Sequence, residues 1–85
     1  MFNKPFPNAL RELRLKAGLF QRDVAGALGL DCADRLSRWE NGLAIPSTVN
    51  LFRLAALYKV EPHTLYPELF EIAGRERDIA EPATN

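Results

Sequence analysis

Apolar residues recur along the chain at the three- and four-residue spacing of amphipathic helices. The predicted helices span about residues 8–17, 21–28, 32–41, 48–59 and 63–72. Glycines that can adopt left-handed backbone follow the first two helices, and the third ends at Asn41 and Gly42. We find no strand pattern and no internal repeat, so the sequence predicts an all-α fold of five helices.

The two ends of the chain lack this periodicity. Residues 1–7 include Pro5 and Pro7, which donate no backbone hydrogen bonds, so we expect an extended N-terminal arm. Residues 73–85 are charged and nearly free of core-forming side chains, which predicts a charged flexible tail. Residues 8–72 are therefore expected to form the one folded domain.

Three local signals bear on the helix ends. Asn8 is a good N-cap residue for helix one. Asp31, with Asp34 three residues later, is expected to cap helix three. Pro67 is compatible with helix five only if that helix begins near Tyr66 or is kinked.

Charge is balanced overall but unevenly distributed. Eleven basic and eleven acidic residues give a net charge of zero, which removes the simplest argument for a nucleic-acid partner. The first 60 residues carry nine basic and five acidic side chains, a net +4, and the remaining 25 carry a net −4. This asymmetry is compatible with a basic binding surface and equally with ordinary solvated surface.

Several chemistries have no support in the sequence. Cys32 and His63 are the only residues of their types, so we expect no intrachain disulfide, no metal site and no cofactor. No nucleophile, base and orienting group converge, so the chain is predicted not to be an enzyme. No apolar run reaches about 20 residues and no signal peptide is apparent, which favours a cytoplasmic protein away from membranes.

Cys32 lies near the predicted start of helix three, where a lowered thiol pKa would permit redox sensing. Two neighbouring aspartates, Asp31 and Asp34, oppose that reading. We interpret Cys32 as a small turn residue.

Helices two and three are joined by a glycine-containing turn, an arrangement that allows the second helix to enter the major groove of DNA. An αα-hairpin in any small bundle shows the same spacing. Leu36 and Trp39 mark the inward side of helix three and, with Val24, are assigned to the core rather than to base stacking.

The residues that carry a resemblance are Gln21, Val24-Ala25, Leu28-Gly29-Leu30, Leu36-Ser37-Arg38-Trp39-Glu40-Asn41-Gly42 and Pro46-Ser47. In order and spacing they resemble the helix-turn-helix family of the lambda repressor and Cro, also called the XRE family. The resemblance covers about residues 8–70. It implies a five-helix lambda-repressor-like domain of bacterial or phage type that binds DNA.

The resemblance also implies roles for individual residues. Those expected to contact DNA phosphates are Gln21, Arg22 and Asn41. Those expected to contact base edges are Asp34, Arg35, Ser37 and Arg38, with Arg35 and Arg38 as the strongest candidates for guanine. Arg14 and Glu40 match two positions that form a structural pair.

Simpler readings of these residues stay open. Gln21 can be a solvated helix start, and Asn41 a helix C-terminal residue. Arg35 or Arg38 can instead pair on the surface with Asp31 or Asp34.

The sequence departs from the family pattern at three places. Five residues separate Leu30 from Leu36, one more than usual, so the register of the base contacts can shift by one residue. Phe20 replaces the usual Ser or Thr cap of helix two, and Leu43 replaces a frequent basic residue. Asp34 repels phosphate but can accept a hydrogen bond from cytosine.

The resemblance therefore implies a sequence-specific transcriptional regulator, with repression expected, that reads double-stranded DNA as a homodimer. The alternative is a protein-interaction module, for example an antitoxin-like partner-binding domain with weak DNA binding. Helix five supports a dimer or partner surface because it carries more apolar side chains than packing on one side requires. These side chains are Tyr66, Leu69, Phe70 and Ile72.

Overall fold

The structure, a computed structural model, describes residues 6–80, with side chains described as far as Arg75. Its elements are α1 (Leu10–Lys16), α2 (Gln21–Leu28), α3 (Asp34–Glu40), α4 (Thr48–Tyr58), a 3₁₀ helix (Pro62–Leu65) and α5 (Pro67–Ala80). Within this range all regular structure is helical and no strand is present. The predicted fold class is confirmed.

The core lies between α1, α2, α3, α4 and the 3₁₀ helix, with Leu69 of α5 packed against it. Its fully buried members include Leu10 of α1, Val24 of α2, Leu36 of α3, Leu54 of α4 and Leu65 of the 3₁₀ helix. Each comes from the apolar stripe of its helix, as the three- and four-residue spacing requires. Trp39 is 3% exposed and joins the same cluster, so the structure shows it as a core residue.

Short polar side chains define two of the helix starts. Asn8 Oδ1 accepts the backbone N–H of Leu10, although Ala9 and not the predicted Asn8 occupies the N-cap position of α1, and Ser47 Oγ accepts that of Asn50 at the start of α4. Both acceptors satisfy N–H groups that have no partner inside their helix. Asn8 also donates from Nδ2 to the carbonyl of Trp39, which ties the beginning of α1 to the end of α3.

The predicted arm falls largely on residues 1–5, which lie outside the described residues. Phe6 is half-buried against the core, and its backbone N–H donates to the carbonyl of Gly42 at 3.2 Å. At this point the chain is therefore attached to the domain.

Helix three begins later than predicted. We expected residues 32–41 with Asp31 as the cap, whereas α3 spans Asp34–Glu40 and follows Ala33, which offers no capping side chain. The expectation for Asp31 is wrong. The extra residue before Leu36 is accommodated in the turn, so the helix starts only at Asp34.

The predicted fifth helix, 63–72, is also corrected. The chain first forms the 3₁₀ helix Pro62–Leu65 and then α5, with Pro67 as the first residue of α5. A proline is favoured there because the first helical N–H has no intrahelical acceptor. The backbone stays helical to Ala80, through part of the predicted tail, and residues 81–85 lie outside the described range.

Candidate nucleic-acid interface

The unit formed by α2 and α3 is built around a left-handed glycine. Gly29 has φ of 74°, and the next residue, Leu30, donates its N–H to the carbonyl of Ala25 at 2.8 Å. This pattern closes the C-terminus of α2 and turns the chain sharply. Leu30 is half-buried against the core, so the turn between α2 and α3 is packed onto the domain.

The outward face of α3 is polar and exposed. Residues four apart share one face of a helix, which places Asp34 and Arg38 together, with Ser37 and Asn41 on the adjacent row. Asp34, Arg38 and Asn41 are exposed, and Ser37 is half-buried. The opposite side of the helix carries the buried Leu36. The start of α3 at Asp34 defines which side chains share its outward face, and their contacts with bases stay predictions.

Arg35 occupies the border between these two faces. It lies four residues before Trp39, and its guanidinium carbon is 5.8 Å from the centroid of that indole ring. The contact is within the range of a cation–π interaction. Arg35 is thus directed beside the outward face, whereas Arg38 lies on it.

Neither arginine of α3 forms the surface ion pair that the sequence left open. Within the described part of the chain, the salt bridges join Arg14 to Glu40 and Lys16 to Glu12. Arg38 is exposed and its guanidinium has no partner among these residues. Its planar set of N–H donors is available to a ligand.

Asn41 follows α3 directly. Its Nδ2 donates weakly to Ser37 Oγ, at 3.4 Å, one turn earlier. The next residue, Gly42, has φ of 76° and leads the chain away. Asn41 is therefore both a helix C-terminal residue and an exposed amide beside the outward face.

A buried polar network fixes α3 from behind. Arg14 of α1 and Glu40 of α3 are 6% and 3% exposed, and Arg14 Nε donates to Glu40 Oε2 at 2.6 Å. A second donor, Arg14 Nη2, reaches Oε1 at 3.2 Å, so the pair is bidentate. Arg14 Nη1 also donates to the carbonyl of Leu19, just before α2. One guanidinium thus connects the three N-terminal helices.

Gln21 belongs to this network as well. Its Nε2 donates to Glu40 Oε1 at 2.9 Å, which joins the first residue of α2 to the last of α3. Gln21 was assigned to phosphate from the family resemblance, and the structure gives it this additional contact. Nothing in the sequence marks Gln21 and Glu40, 19 positions apart, as partners.

The network affects the ionisation of its members and of a nearby tyrosine. The hydrogen bond to Glu40 raises the pKa of Arg14 above its ordinary value, although burial acts in the opposite direction. Burial, with a further contribution from Glu40, raises the pKa of Tyr58 to about 12. Arg14 is therefore charged at any physiological pH.

The N-terminus of α2 contains a contact that sequence reasoning missed. The Arg22 guanidinium carbon lies 4.6 Å from the centroid of the Phe20 ring, and both side chains are exposed. The signal for this contact in the sequence is the position of Phe20 two residues before an arginine. This contact brings an aromatic group to the candidate interface.

The predicted partner surface, formed by Tyr66 before α5 and by Leu69, Phe70 and Ile72 of α5, is only partly exposed. Tyr66 is buried and Leu69 half-buried, whereas Phe70 and Ile72 are 59% and 41% exposed. The Phe70 ring lies 4.8 Å from that of His63, beside an apolar groove lined also by Leu51. The exposed apolar surface is therefore centred on Phe70.

The described residues were also searched for a metal site and for a membrane-spanning helix. Within them, no group of three or more His, Cys, Asp or Glu residues is placed to hold a metal ion. Cys32 is exposed in the turn before α3. In the same range, no helix combines the length and the apolar character needed to cross a bilayer.

Comparison with known families agrees with this geometry. A family model described as a helix-turn-helix domain matches residues 8–69, which is most of the chain. The protein belongs to this family, which is of the XRE and lambda repressor-like type. Membership indicates a DNA-binding regulator, and domains of this family are typically non-enzymatic. Comparison with curated proteins returned no match.

Proposed function

We propose that this protein is a sequence-specific DNA-binding transcriptional repressor of the cytoplasm that reads the major groove with α3 as a homodimer. One observation carries the proposal. The buried Arg14–Glu40 pair holds α3 from behind, while Arg38 on the opposite face is exposed and unpaired among the described residues. A rigid helix with available donors is what base readout requires.

Base recognition is assigned to the outward face of α3. Arg38 donates from its planar guanidinium to the O6 and N7 acceptors of guanine, a contact worth about 1–3 kcal/mol of discrimination. Asp34, one turn earlier on the same face, accepts from cytosine N4, and Ser37 supplies a hydroxyl. Arg35, whose guanidinium contacts the Trp39 ring, reaches bases or the DNA backbone at the edge of this face.

Phosphate contacts are assigned to residues at both ends of this unit. Arg22 and Gln21 lie at the start of α2, and Asn41 follows α3. An amide nitrogen carries two hydrogens, so the bond from Gln21 to Glu40 leaves one for a phosphate oxygen. These contacts orient the domain on the duplex without reading sequence.

A dimer is proposed because one small module buries little surface on DNA and because operators mirror the two-fold symmetry of their proteins. The exposed Phe70 and Ile72 of α5 are the apolar side chains proposed to meet a second copy. Two recognition helices about 34 Å apart would then enter successive major grooves on one side of the duplex. Occupation of a promoter blocks transcription.

The test is selection of bound fragments from a genomic DNA library at about 0.15 M salt, followed by sequencing. We expect a palindromic motif that is lost with Arg38→Ala. Arg53→Ala is the matched control, because Arg53 is exposed on α4 and its substitution removes the same charge elsewhere. Binding without sequence preference, or equal effects of the two variants, would contradict the proposal.

The exposed α5 surface favours a second candidate function, a protein-interaction module such as an antitoxin with weak DNA binding. In that case Phe70→Ser abolishes function while Arg38→Ala does not. A reporter assay of repression with both variants separates the two functions, because the proposed repressor loses activity with Arg38→Ala. Unchanged circular dichroism spectra show that each variant is folded.

A further inference from the structure

The residue before α2 has a side chain whose role the fold does not explain. Phe20 has extended backbone, at φ −87° and ψ 161°, and occupies the N-cap position, where a side-chain oxygen normally accepts a hydrogen bond. Its ring offers no such acceptor and is 61% exposed, so it neither caps the helix nor fills the core.

The start of α2 is stabilised from another direction. Asp23 Oδ2 accepts the backbone N–H of Phe20 at 2.8 Å, which is one half of a capping box. That bond uses only the backbone of residue 20. The Phe20 side chain is therefore not needed for helix initiation.

The Phe20 ring instead contacts the guanidinium of Arg22, with 4.6 Å between the guanidinium carbon and the ring centroid. Arg22 lies in the first turn of α2, where the helix dipole disfavours a cation. Among the described residues its guanidinium has no ion pair. The aromatic ring is thus the group that holds this cation at the helix start.

We propose that Phe20 is a positioning residue, which holds the Arg22 guanidinium on its ring so that the N–H edge is presented to a DNA phosphate. The inference rests on the proposed function and refines its phosphate contact. Stacking uses the face of the guanidinium, whereas its five N–H donors lie in the plane and stay available. A side chain already held in place loses less rotamer freedom when it binds.

The proposal predicts how the two residues act on DNA affinity. Arg22 supplies the charge, so Arg22→Ala makes the negative slope of log K against log salt shallower by about 0.9, the value for one phosphate. Phe20 carries no charge and only holds the Arg22 guanidinium in place. We expect Phe20→Leu to weaken binding about two- to fivefold, the range of exposed cation–π contacts, and to do so only when Arg22 is present.

A first experiment tests the stack without DNA. The proton NMR signals of the Arg22 δ-methylene are expected upfield of ordinary arginine values because of the ring current of Phe20. They return to those values in Phe20→Leu and stay upfield in Phe20→Tyr. Unshifted signals in the wild-type protein overturn the proposal directly.

A second experiment is a double-mutant cycle on the full chain with a 20-base-pair duplex of arbitrary sequence, titrated between about 50 and 200 mM salt. The four proteins are the wild type, Phe20→Leu, Arg22→Ala and the double variant. Phe20→Tyr is the conservative rescue, and Arg53→Ala reports the loss of a positive charge elsewhere. Thermal unfolding of each variant excludes a folding defect as the cause.

The outcomes are distinct. An effect of Phe20→Leu that vanishes when Arg22 is alanine, with rescue by tyrosine, supports the proposal. An equal effect in both backgrounds, or none in either, overturns it. If the wild-type chain fails to bind any duplex at low salt, the proposed function itself fails. If Arg22→Ala leaves the salt slope unchanged, the phosphate contact of Arg22 fails.

Discussion

Helices α1–α3 are joined by buried polar contacts, whereas the 3₁₀ helix and α5 are held by apolar ones. In the first region, the side chains of Arg14, Gln21 and Glu40 connect three helices through hydrogen bonds of defined length. In the second, Leu65 and Tyr66 anchor the chain, and every residue from Phe70 to Arg75 is exposed.

This difference is compatible with the proposed function. Hydrogen bonds are directional, so the polar network fixes the angle and register of α3, which base readout needs. Apolar contacts are non-directional and leave surface for a partner. The rigid region is the one proposed to touch DNA, and the other is proposed to contact a second copy.

The largest loss in the free energy of unfolding is expected from Glu40→Ala. It leaves the guanidinium of Arg14 buried without its carboxylate, and breaking a buried pair in this way costs about 3–5 kcal/mol. Urea denaturation measures the loss. The exposed pair of Lys16 and Glu12 is the control, because Glu12→Ala is expected to cost less than about 1 kcal/mol. A similarly small effect of Glu40→Ala would show that the network does not stabilise the first region.

Alkaline pH is expected to lower the free energy of unfolding through two buried tyrosines, Tyr58 at the end of α4 and Tyr66 in the second region. Burial raises the pKa of Tyr58 and of Tyr66 from 10.0 to about 12, and neither buried hydroxyl has a hydrogen-bond partner among the described residues. The two tyrosine hydroxyls lose their protons at lower pH in the unfolded chain than in the folded chain. The free energy of unfolding is therefore unaffected by them below pH 10 and falls as the pH rises to about 12. At one pKa unit per 1.36 kcal/mol, the loss is about 3 kcal/mol for each tyrosine.

Urea denaturation at pH 9 and near pH 12 tests this expectation. Tyr58→Phe and Tyr66→Phe should each remove about half of the decline, and the double variant most of it. A decline that persists in the double variant would assign the effect to other groups.

A smaller change, and a gain in the free energy of unfolding instead of a loss, is expected from substitution of Lys59, which lies between α4 and the 3₁₀ helix. It ends α4 in left-handed backbone, with φ of 60°, which strains a residue that has a Cβ. Lys59→Gly should raise the free energy of unfolding by about 0.5–1 kcal/mol. Lys59→Ala removes the same charge and keeps the Cβ, so a gain equal to that of glycine would point to charge rather than strain.

The smallest change in the free energy of unfolding is expected from substitution of Phe70 on α5. Phe70 is 59% exposed, so Phe70→Ser should change the free energy of unfolding of the monomer by no more than about 0.5 kcal/mol. Leu65→Ala, at a fully buried position, should cost about 2–5 kcal/mol. Unfolding at low protein concentration measures both. A large loss with Phe70→Ser would mean that α5 packs more tightly on its own chain.

Much of the fold could be predicted from the sequence because helix periodicity and capping are local. The stripes of α1, α2 and α4, the local hydrogen bond from Leu10 to Asn8 and the left-handed Gly29 all follow from neighbouring residues. The boundaries of α3 and α5 could not, because they depend on how an extra turn residue and Pro67 fit against the rest of the domain.

In the candidate site too, some features could be predicted from the sequence and others could not. The polar outer face of α3 is present in the sequence, because Leu36 and Trp39 identify the inner face and therefore the outer one. The contacts of Gln21 with Glu40 and of Arg22 with Phe20 were not predicted. Their geometry depends on side-chain directions that only the folded chain defines.

The sequence by itself determined the helical class and the family, since these depend on residue types at fixed spacings, and it supplied the candidate DNA-contact residues, which stay predictions. Only the tertiary structure decided that α3 begins at Asp34, that Arg38 faces outward with no partner among the described residues, and that the Arg35 guanidinium contacts the Trp39 ring. Local propensity limits which elements form. Which side chains meet depends on packing between residues far apart in the chain, and only the folded structure specifies those contacts.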